Sequence, residues 1–394
     1  MLLACSLLLI ALATLWPMPG ELKIQGLCLI CGGHGTADLL LNIMLFMPLG
    51  VALGLRGSSR GRVALLALVL STTIELLQFY IPGRDPSVSD VLANTCGALL
   101  GALVVGSASI WLNPRLALAS RLSRTTTILA TLMCVATGLL LTPVYPDSPY
   151  FGLWTPDLGR LVQYQGRVLS ATINDELIGN GPISAADRVR EALRSPDGYD
   201  LTIHAVLGPR PEGLSPLFAI ADEQRREILL LGLDGDELVL RVSTRADDAR
   251  LDRPELRVAA WRQARIGDTA SVIIVARGGR YAINGVERGF TVGSGWALLL
   301  YVAHLPFKGV LSAAWIGALF LPAAFWARGR ADGAIISVGL LTGLLLTPAL
   351  TGLQHTPPAQ WLAVVLGVGA GAALQRLCTS SALAGNALLP GPEV

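Results

Sequence analysis

The chain has 394 residues, 52% of them hydrophobic and only 15% charged, with a mean hydropathy of +0.57, too apolar a balance for one water-solvated core. Of its 28 acidic residues 21 lie between Tyr145 and Leu305, as do 18 of its 30 basic residues, so the remainder is nearly uncharged while the middle reads as ordinary soluble protein. A net charge of +2, with no basic tract and no interleaving of aromatic and basic residues, gives no reason to expect nucleic acid as a partner.

Apolar runs long enough to cross a hydrocarbon core of roughly 30 Å fall at 2–18, 38–56, 63–80, 88–106, 125–142, 309–326, 333–353 and 359–377, about eight crossings. The first has no basic n-region and no small-residue cleavage pattern before Glu21, so it reads as a helix rather than a signal peptide. Orientation follows from the short loops. Arg56, Arg60 and Arg62 join the second and third runs; Arg115, Arg121 and Arg124 the fourth and fifth; Arg328 and Arg330 the sixth and seventh; Arg376 ends the eighth. All four clusters fall on one side, which the enrichment of cytoplasmic loops in Lys and Arg makes the inside. Both termini are then expected inside and the segment after the fifth run outside. The fold class expected is a multi-pass α-helical membrane protein with an inserted all-β domain facing out.

In the first outer loop, Cys28, Cys31 and His34 form CLICGGH, a spacing able to hold a redox pair or part of a metal site. No second ligand pair accompanies them, so no metal and no cofactor is expected. Cys5, Cys96, Cys134 and Cys378 fall in apolar runs and read as small packing residues.

The second to fourth runs carry polar residues that the other runs lack. Asp38 and Asn42 are one turn apart, Glu75 and Gln78 follow in the third run, and Asp90 and Asn94 are again one turn apart. Spacings of three and four put each pair on one helix face. On the topology above, all six lie in the outer leaflet, and IPGRDPSVSD adds Arg84, Asp85 and Ser87 at the same level. An ionisable group deep in a membrane costs roughly 2.5 to 3.5 kcal/mol on insertion scales, so such a cluster points to a functional pocket. Two plainer readings stand beside it. The aspartates can be interfacial, Asp90 favoured by its helix N-terminus, and Glu75 can pair with Arg84 merely to hold helices together.

The middle begins after the Pro-rich TPVYPDSPYFGLWTP and carries strand signatures. In YDLTIHAVLG, Leu201, Ile203, Ala205 and Leu207 alternate with polar or small residues. REILLLGLDGDELVLRVS reads as two strands joined by a DG turn, and SVIIVARGGRYAINGVERG repeats the design with GG and NG turns. Short strands with frequent turns argue for a sandwich. The boundaries expected are a membrane domain over 1–142, the outer β domain over 145–305, membrane helices over 306–378 and a short cytoplasmic tail over 379–394.

DLLLNIMLFMPLG followed by STTIELLQFYIPGRDPSVSDVLANTCGALLG resembles the VanZ-like membrane domain over about residues 38–105. The motifs that carry the resemblance are Asn42, Phe46, Pro48 and Gly50; Glu75 and Gln78; Arg84; and Asp90, Asn94 and Gly97. The resemblance implies a bacterial cell-envelope protein of the inner membrane, linked in its founding member to lower susceptibility to teicoplanin. It implies no reaction. The outer domain is similar to the concanavalin-A-like or laminin-G-like jelly roll over about residues 195–305, including the hairpin of Tyr281, Asn284 and Gly285. Such domains bind glycans or proteins, and some hydrolyse glucans with carboxylates on one strand. Here Asp222, Glu223 and Glu227 surround basic residues and read as a solvated loop, which argues against hydrolysis. Trp261, Tyr281 and Trp296 are candidates to stack on a sugar, with core aromatics as the alternative.

The function expected is an outward-facing polar pocket that engages an envelope component, lipid-linked or peptidoglycan-related, beneath a β domain that binds cell-wall glycan or an envelope protein. Two alternatives stand beside it. One is a membrane enzyme, with Glu75 or Asp90 as acid or base and Arg84 clamping a phosphate or carboxylate of a lipid-linked substrate. The other is a proton-coupled transporter in which Glu75 titrates.

Overall fold

A computed structural model describes residues 1–17, 34–84, 86–159, 161–260, 264–300 and 307–387. The chain opens with α1 (Leu2–Leu15), α2 (Gly35–Gly54), α3 (Arg60–Gln78), α4 (Val88–Gly106), the short α5 (Ala108–Leu112) and α6 (Leu116–Leu140). A β-rich region then carries β1 (Tyr150–Trp154), β2 (Arg167–Ile173), β3 (Glu176–Leu177), β4 (Gly181–Pro182), α7 (Ala186–Arg194), β5 (Tyr199–Val206), β6 (Ser215–Asp222), β7 (Glu227–Asp234) and β8 (Glu237–Val242). It continues with α8 (Arg245–Asp248), β9 (Leu256–Ala259), β10 (Thr269–Arg277), β11 (Arg280–Ile283) and β12 (Val286–Gly289). The last elements are α9 (Lys308–Trp326), α10 (Arg330–Leu341), α11 (Thr347–Thr351) and α12 (Pro358–Ala387).

Among the described residues, seven helices are long and apolar enough to cross a membrane, with α10 and α11 forming one span over Arg330–Thr351. That span widens into a π segment at Thr342–Leu346 immediately before Pro348, a residue with no N–H to continue the ladder. The carbonyl four residues before Pro348, that of Leu344, accepts instead from the hydroxyl of Thr356. The expected crossing over 2–18 is instead a helix of 14 residues, about 21 Å long at 1.5 Å per residue and short of the hydrocarbon core. Trp16 precedes a proline and is extended (φ −72°, ψ 126°), which stops the helix there.

The helices form two groups. In α1–α4, Ile10, Phe46, Leu49, Val63, Ile74 and Ala98 make a core of their own. There α2 lies almost backbone to backbone on α4: a Cβ on Gly97 would stand 2.2 Å from the Ile43 carbonyl oxygen, and one on Gly101 2.1 Å from that of Met47. Small residues let membrane helices approach in this way. The second group is α6 with α9, α10–α11 and α12. Its Cys134, Ile316, Phe320, Leu344 and Val364 join the core of the β region.

Two six-stranded antiparallel sheets, ordered β4-β1-β6-β7-β8-β9 and β12-β11-β10-β5-β2-β3, form a β-sandwich. The turns fall where the sequence places them: Gly278 and Gly279 have φ +52° and +76°, and Asn284 and Gly285 have φ +48° and +78°, the positive pairs that tight hairpins require. Strand β5 alternates buried and exposed residues, whereas β6 and almost all of β7 are buried on both faces. The second face is covered because Leu214, Ala219, Leu230 and Val239 pack beneath Leu153 and Leu161. A solvated loop at 222–227 is found only in part. Asp222 is 2% exposed and accepts hydrogen bonds from the backbone of Gln224 and Arg226 and from Arg226 Nε, which fixes the turn from β6 to β7. Glu227 is a half-buried partner of Arg253.

The sandwich sits on one end of both helix groups. The first N–H groups of α2, at Thr36 and Ala37, donate to the Arg250 carbonyl, and His34 Nδ1 lies 3.0 Å from the Leu251 carbonyl. At the exit of α6, Val144 N–H donates to Ser243 O and Arg245 N–H to Thr142 O.

Candidate functional site

The end of α1–α4 that meets the sandwich gathers most of the polar residues singled out from the sequence. Ser87 immediately precedes α4, and its backbone N–H donates to Glu75 Oε2 over 2.8 Å. Glu75 is 5% exposed. Beside it stands Asp90, half-buried in the first turn of α4, where a carboxylate suits the positive end of the helix dipole. Asn42 of α2 hydrogen-bonds to Asp90, and Ser89 Oγ donates to its Oδ1 over 3.3 Å. Asp38, one turn before Asn42, interacts electrostatically with Asp90, with His34 and with Asp252 of the sandwich. The three carboxylates therefore run inward in order of burial: Asp38 exposed, Asp90 half-buried, Glu75 buried.

Asn94 lies one turn below Asp90 and is 1% exposed. Its Nδ2 donates to Ser71 Oγ over 2.8 Å, while its Oδ1 has no hydrogen-bond partner among the described residues. A buried acceptor left unmade costs on the order of 1–3 kcal/mol, so this atom is a place where a donor from outside the chain would be gained.

Gln78 and Arg84 turn the other way. Gln78 Nε2 donates to Thr14 O over 3.0 Å; Arg84 Nη2 reaches Ala13 O at 2.7 Å and Trp16 O at 3.0 Å, and its Nε reaches Trp16 O at 3.2 Å. These are the last carbonyls of α1, which no further helical turn satisfies. The two side chains act as its C-cap, and burial depresses the basicity of the Arg84 guanidinium. The ion pair of Glu75 with Arg84, one of the readings the sequence left open, is replaced by this arrangement. Asp85 lies outside the described residues, as do Cys28 and Cys31.

In the sandwich, Tyr281 is 3% exposed and its ring lies in the core with Tyr145 and Tyr199, where burial pushes all three phenols well above their ordinary range. No ring face of Tyr281 is left for a sugar. Trp296 is half-buried and donates from Nε1 to Ser312 Oγ of α9 over 3.0 Å, while Trp261 lies outside the described residues. Sequence reasoning missed Ser71, Ser89 and Thr14, ordinary membrane-helix residues in isolation. It also missed Asp252, whose place beside Asp38 depends on how the sandwich docks.

Helices that span a membrane, an inserted β-sandwich and a carboxylate cluster beneath it define the class: a membrane protein with an inserted β domain. Within it, residues 6–110, about a quarter of the chain, match the model of the VanZ/LLP1 family. The match begins in α1, the helix that Gln78 and Arg84 hold. No curated protein and no solved structure matches.

Proposed function

We infer that the chain is a VanZ-like cell-envelope protein of a bacterial inner membrane, with the sandwich outside, and that the cluster of Asp38, Asn42, Glu75, Asp90 and Asn94 binds a lipid-linked or peptidoglycan-related envelope component. Through it the protein lowers susceptibility to teicoplanin-type glycopeptides. The observation that carries this reading is Glu75. A buried carboxylate in a spanning helix is expensive, and among the described residues the only side-chain charge found to act on it is another carboxylate, Asp90. A ligand presenting ammonium, amide or hydroxyl donors supplies what the carboxylates and Asn94 Oδ1 lack.

The sandwich, taken as a concanavalin-A-like or laminin-G-like jelly roll, is the part that holds cell-wall glycan or an envelope protein close to the pocket. Its two six-stranded antiparallel sheets support that type. Proton-coupled transport is the second reading, favoured by the inward order of Asp38, Asp90 and Glu75. The catalytic alternative is weakened because Arg84, its phosphate clamp, is committed to α1.

Native mass spectrometry of the purified full chain tests the binding reading. An envelope-derived lipid or glycan is expected to accompany the wild type and to be lost from a folded Glu75→Ala, Asp90→Ala double variant. Equal retention in both would remove the pocket from the account.

A further inference from the structure

A second site lies away from the carboxylate cluster, where the sandwich meets the C-terminal helices. A cavity of about 450 Å³ opens between β9, β12 and the segment over 290–300 on one side and the first turns of α9 and α12 on the other. Its apolar lining comes from Leu256, Phe290, Trp296, Ala297 and Leu300. It is also lined by Arg253, Arg257, Arg288 and Lys308, against one lining carboxylate, Glu255.

Not all of that charge is available. Arg257 is held by Asp234, Glu237 and Glu255, and Arg253 by Asp247 and Glu227. Arg288 differs. It is exposed, its guanidinium donates to the carbonyls of Arg257 and Glu287, and it has no carboxylate partner among the described residues. Lys308 and Gly309 open α9, and Pro357 and Gln360 flank the start of α12, so the positive ends of two long helix dipoles also face this space.

Gln360 adds an independent sign of a ligand. It is 3% exposed and walls the cavity; its Nε2 donates to Thr291 Oγ1 over 2.8 Å, and its Oε1 has no hydrogen-bond partner among the described residues. A hydroxyl on a bound molecule would satisfy it.

We propose that this cavity binds the headgroup of an anionic, hydroxyl-bearing phospholipid. The phosphate is met by Arg288 and the two helix N-termini, a headgroup hydroxyl by Gln360, and the adjoining glycerol and acyl carbons by Leu256, Phe290 and Trp296. Height in the membrane favours a lipid over a free phosphate. The cavity lies where two spanning helices begin, the level of headgroups and of interfacial tryptophans. The site is separate from the carboxylate cluster, and none of its residues falls within the matched 6–110.

The test is thermal unfolding of the detergent-purified full chain titrated with short-chain phosphatidylglycerol, phosphatidylcholine or inorganic phosphate. Phosphatidylglycerol is expected to raise the unfolding temperature in a saturable way, and phosphatidylcholine is not. Arg288→Ala, at an exposed position, and Gln360→Leu are each expected to weaken the phosphatidylglycerol response about tenfold, the scale of one charged or buried hydrogen bond. Circular dichroism checks that each variant is folded; should Gln360→Leu not fold, Arg288→Ala decides. Equal responses to the two lipids, or a folded Arg288→Ala that responds like the wild type, would overturn the site. A full response to inorganic phosphate alone would overturn its assignment to a lipid.

Discussion

The backbone N–H of Ser87 donates to Oε2 of Glu75 over 2.8 Å, so the buried carboxylate of α3 also anchors the start of α4. Glu75→Ala leaves that buried N–H without its acceptor, and a loss of about 1–3 kcal/mol is expected in denaturant or thermal unfolding of the detergent-solubilised protein. Glu75→Gln keeps an acceptor in place and should cost well under half as much. Equal losses would mean that the Ser87 contact does not matter to the fold.

The close approach of α2 and α4 depends on glycine. A methyl group at Gly97 meets the Ile43 carbonyl at 2.2 Å, whereas one at Gly106 has nothing within 4 Å. Gly97→Ala should therefore destabilise the protein by about 1–3 kcal/mol, the usual range for overpacking, and Gly106→Ala should be neutral or slightly stabilising. Thermal unfolding of the two variants side by side reads the difference directly.

An acid-sensitive contact is built into the sandwich. Burial pushes the Glu255 carboxyl up, but Arg241 and Arg257, both hydrogen-bonded to it, outweigh burial and hold it below its ordinary value of 4.5. A carboxyl depressed in the folded state stabilises above its unfolded value and loses that contribution as the pH falls through the folded one. Unfolding free energy of the full chain should thus drop as the pH goes below about 4.5, and Glu255→Gln should flatten the drop. Glu227 works in the opposite sense. Burial holds it above its ordinary value despite Arg253 and Arg241, so its contribution is lost as the pH rises. Glu227→Gln should remove a decline in stability that sets in as the pH rises above about 4.5 and leave the fall below it in place, so the two variants together separate the effects.

Much of this architecture was legible in the sequence because its signals are periodic. Long apolar runs mark the spanning helices, and the DG, GG and NG turns mark the hairpins at Gly235, Gly278–Gly279 and Asn284–Gly285. What failed was local. The run at 2–18 is apolar enough, but Pro17 holds Trp16 in an extended conformation and the helix ends at Leu15, a backbone effect that hydropathy does not record. Strands β6 and β7 hide the usual alternation because a loop covers their second face.

At the site, spacing alone brought Asp38, Asn42, Glu75, Asp90 and Asn94 to one end of three helices. It did not separate them from Gln78 and Arg84. That distinction needs the carbonyls at the end of α1, which lie 64 and 71 residues away in the chain. Tyr281 shows the same limit, since a hairpin residue can turn to either face and this one turns into the core.

The most direct test of the pocket is teicoplanin susceptibility of a glycopeptide-sensitive bacterium expressing the wild-type chain, Glu75→Gln, or the Glu75→Ala, Asp90→Ala double variant at matched membrane abundance. A binding pocket predicts protection by the wild type, much of it kept in Glu75→Gln and none in the double variant. Undiminished protection by a correctly folded double variant would contradict it.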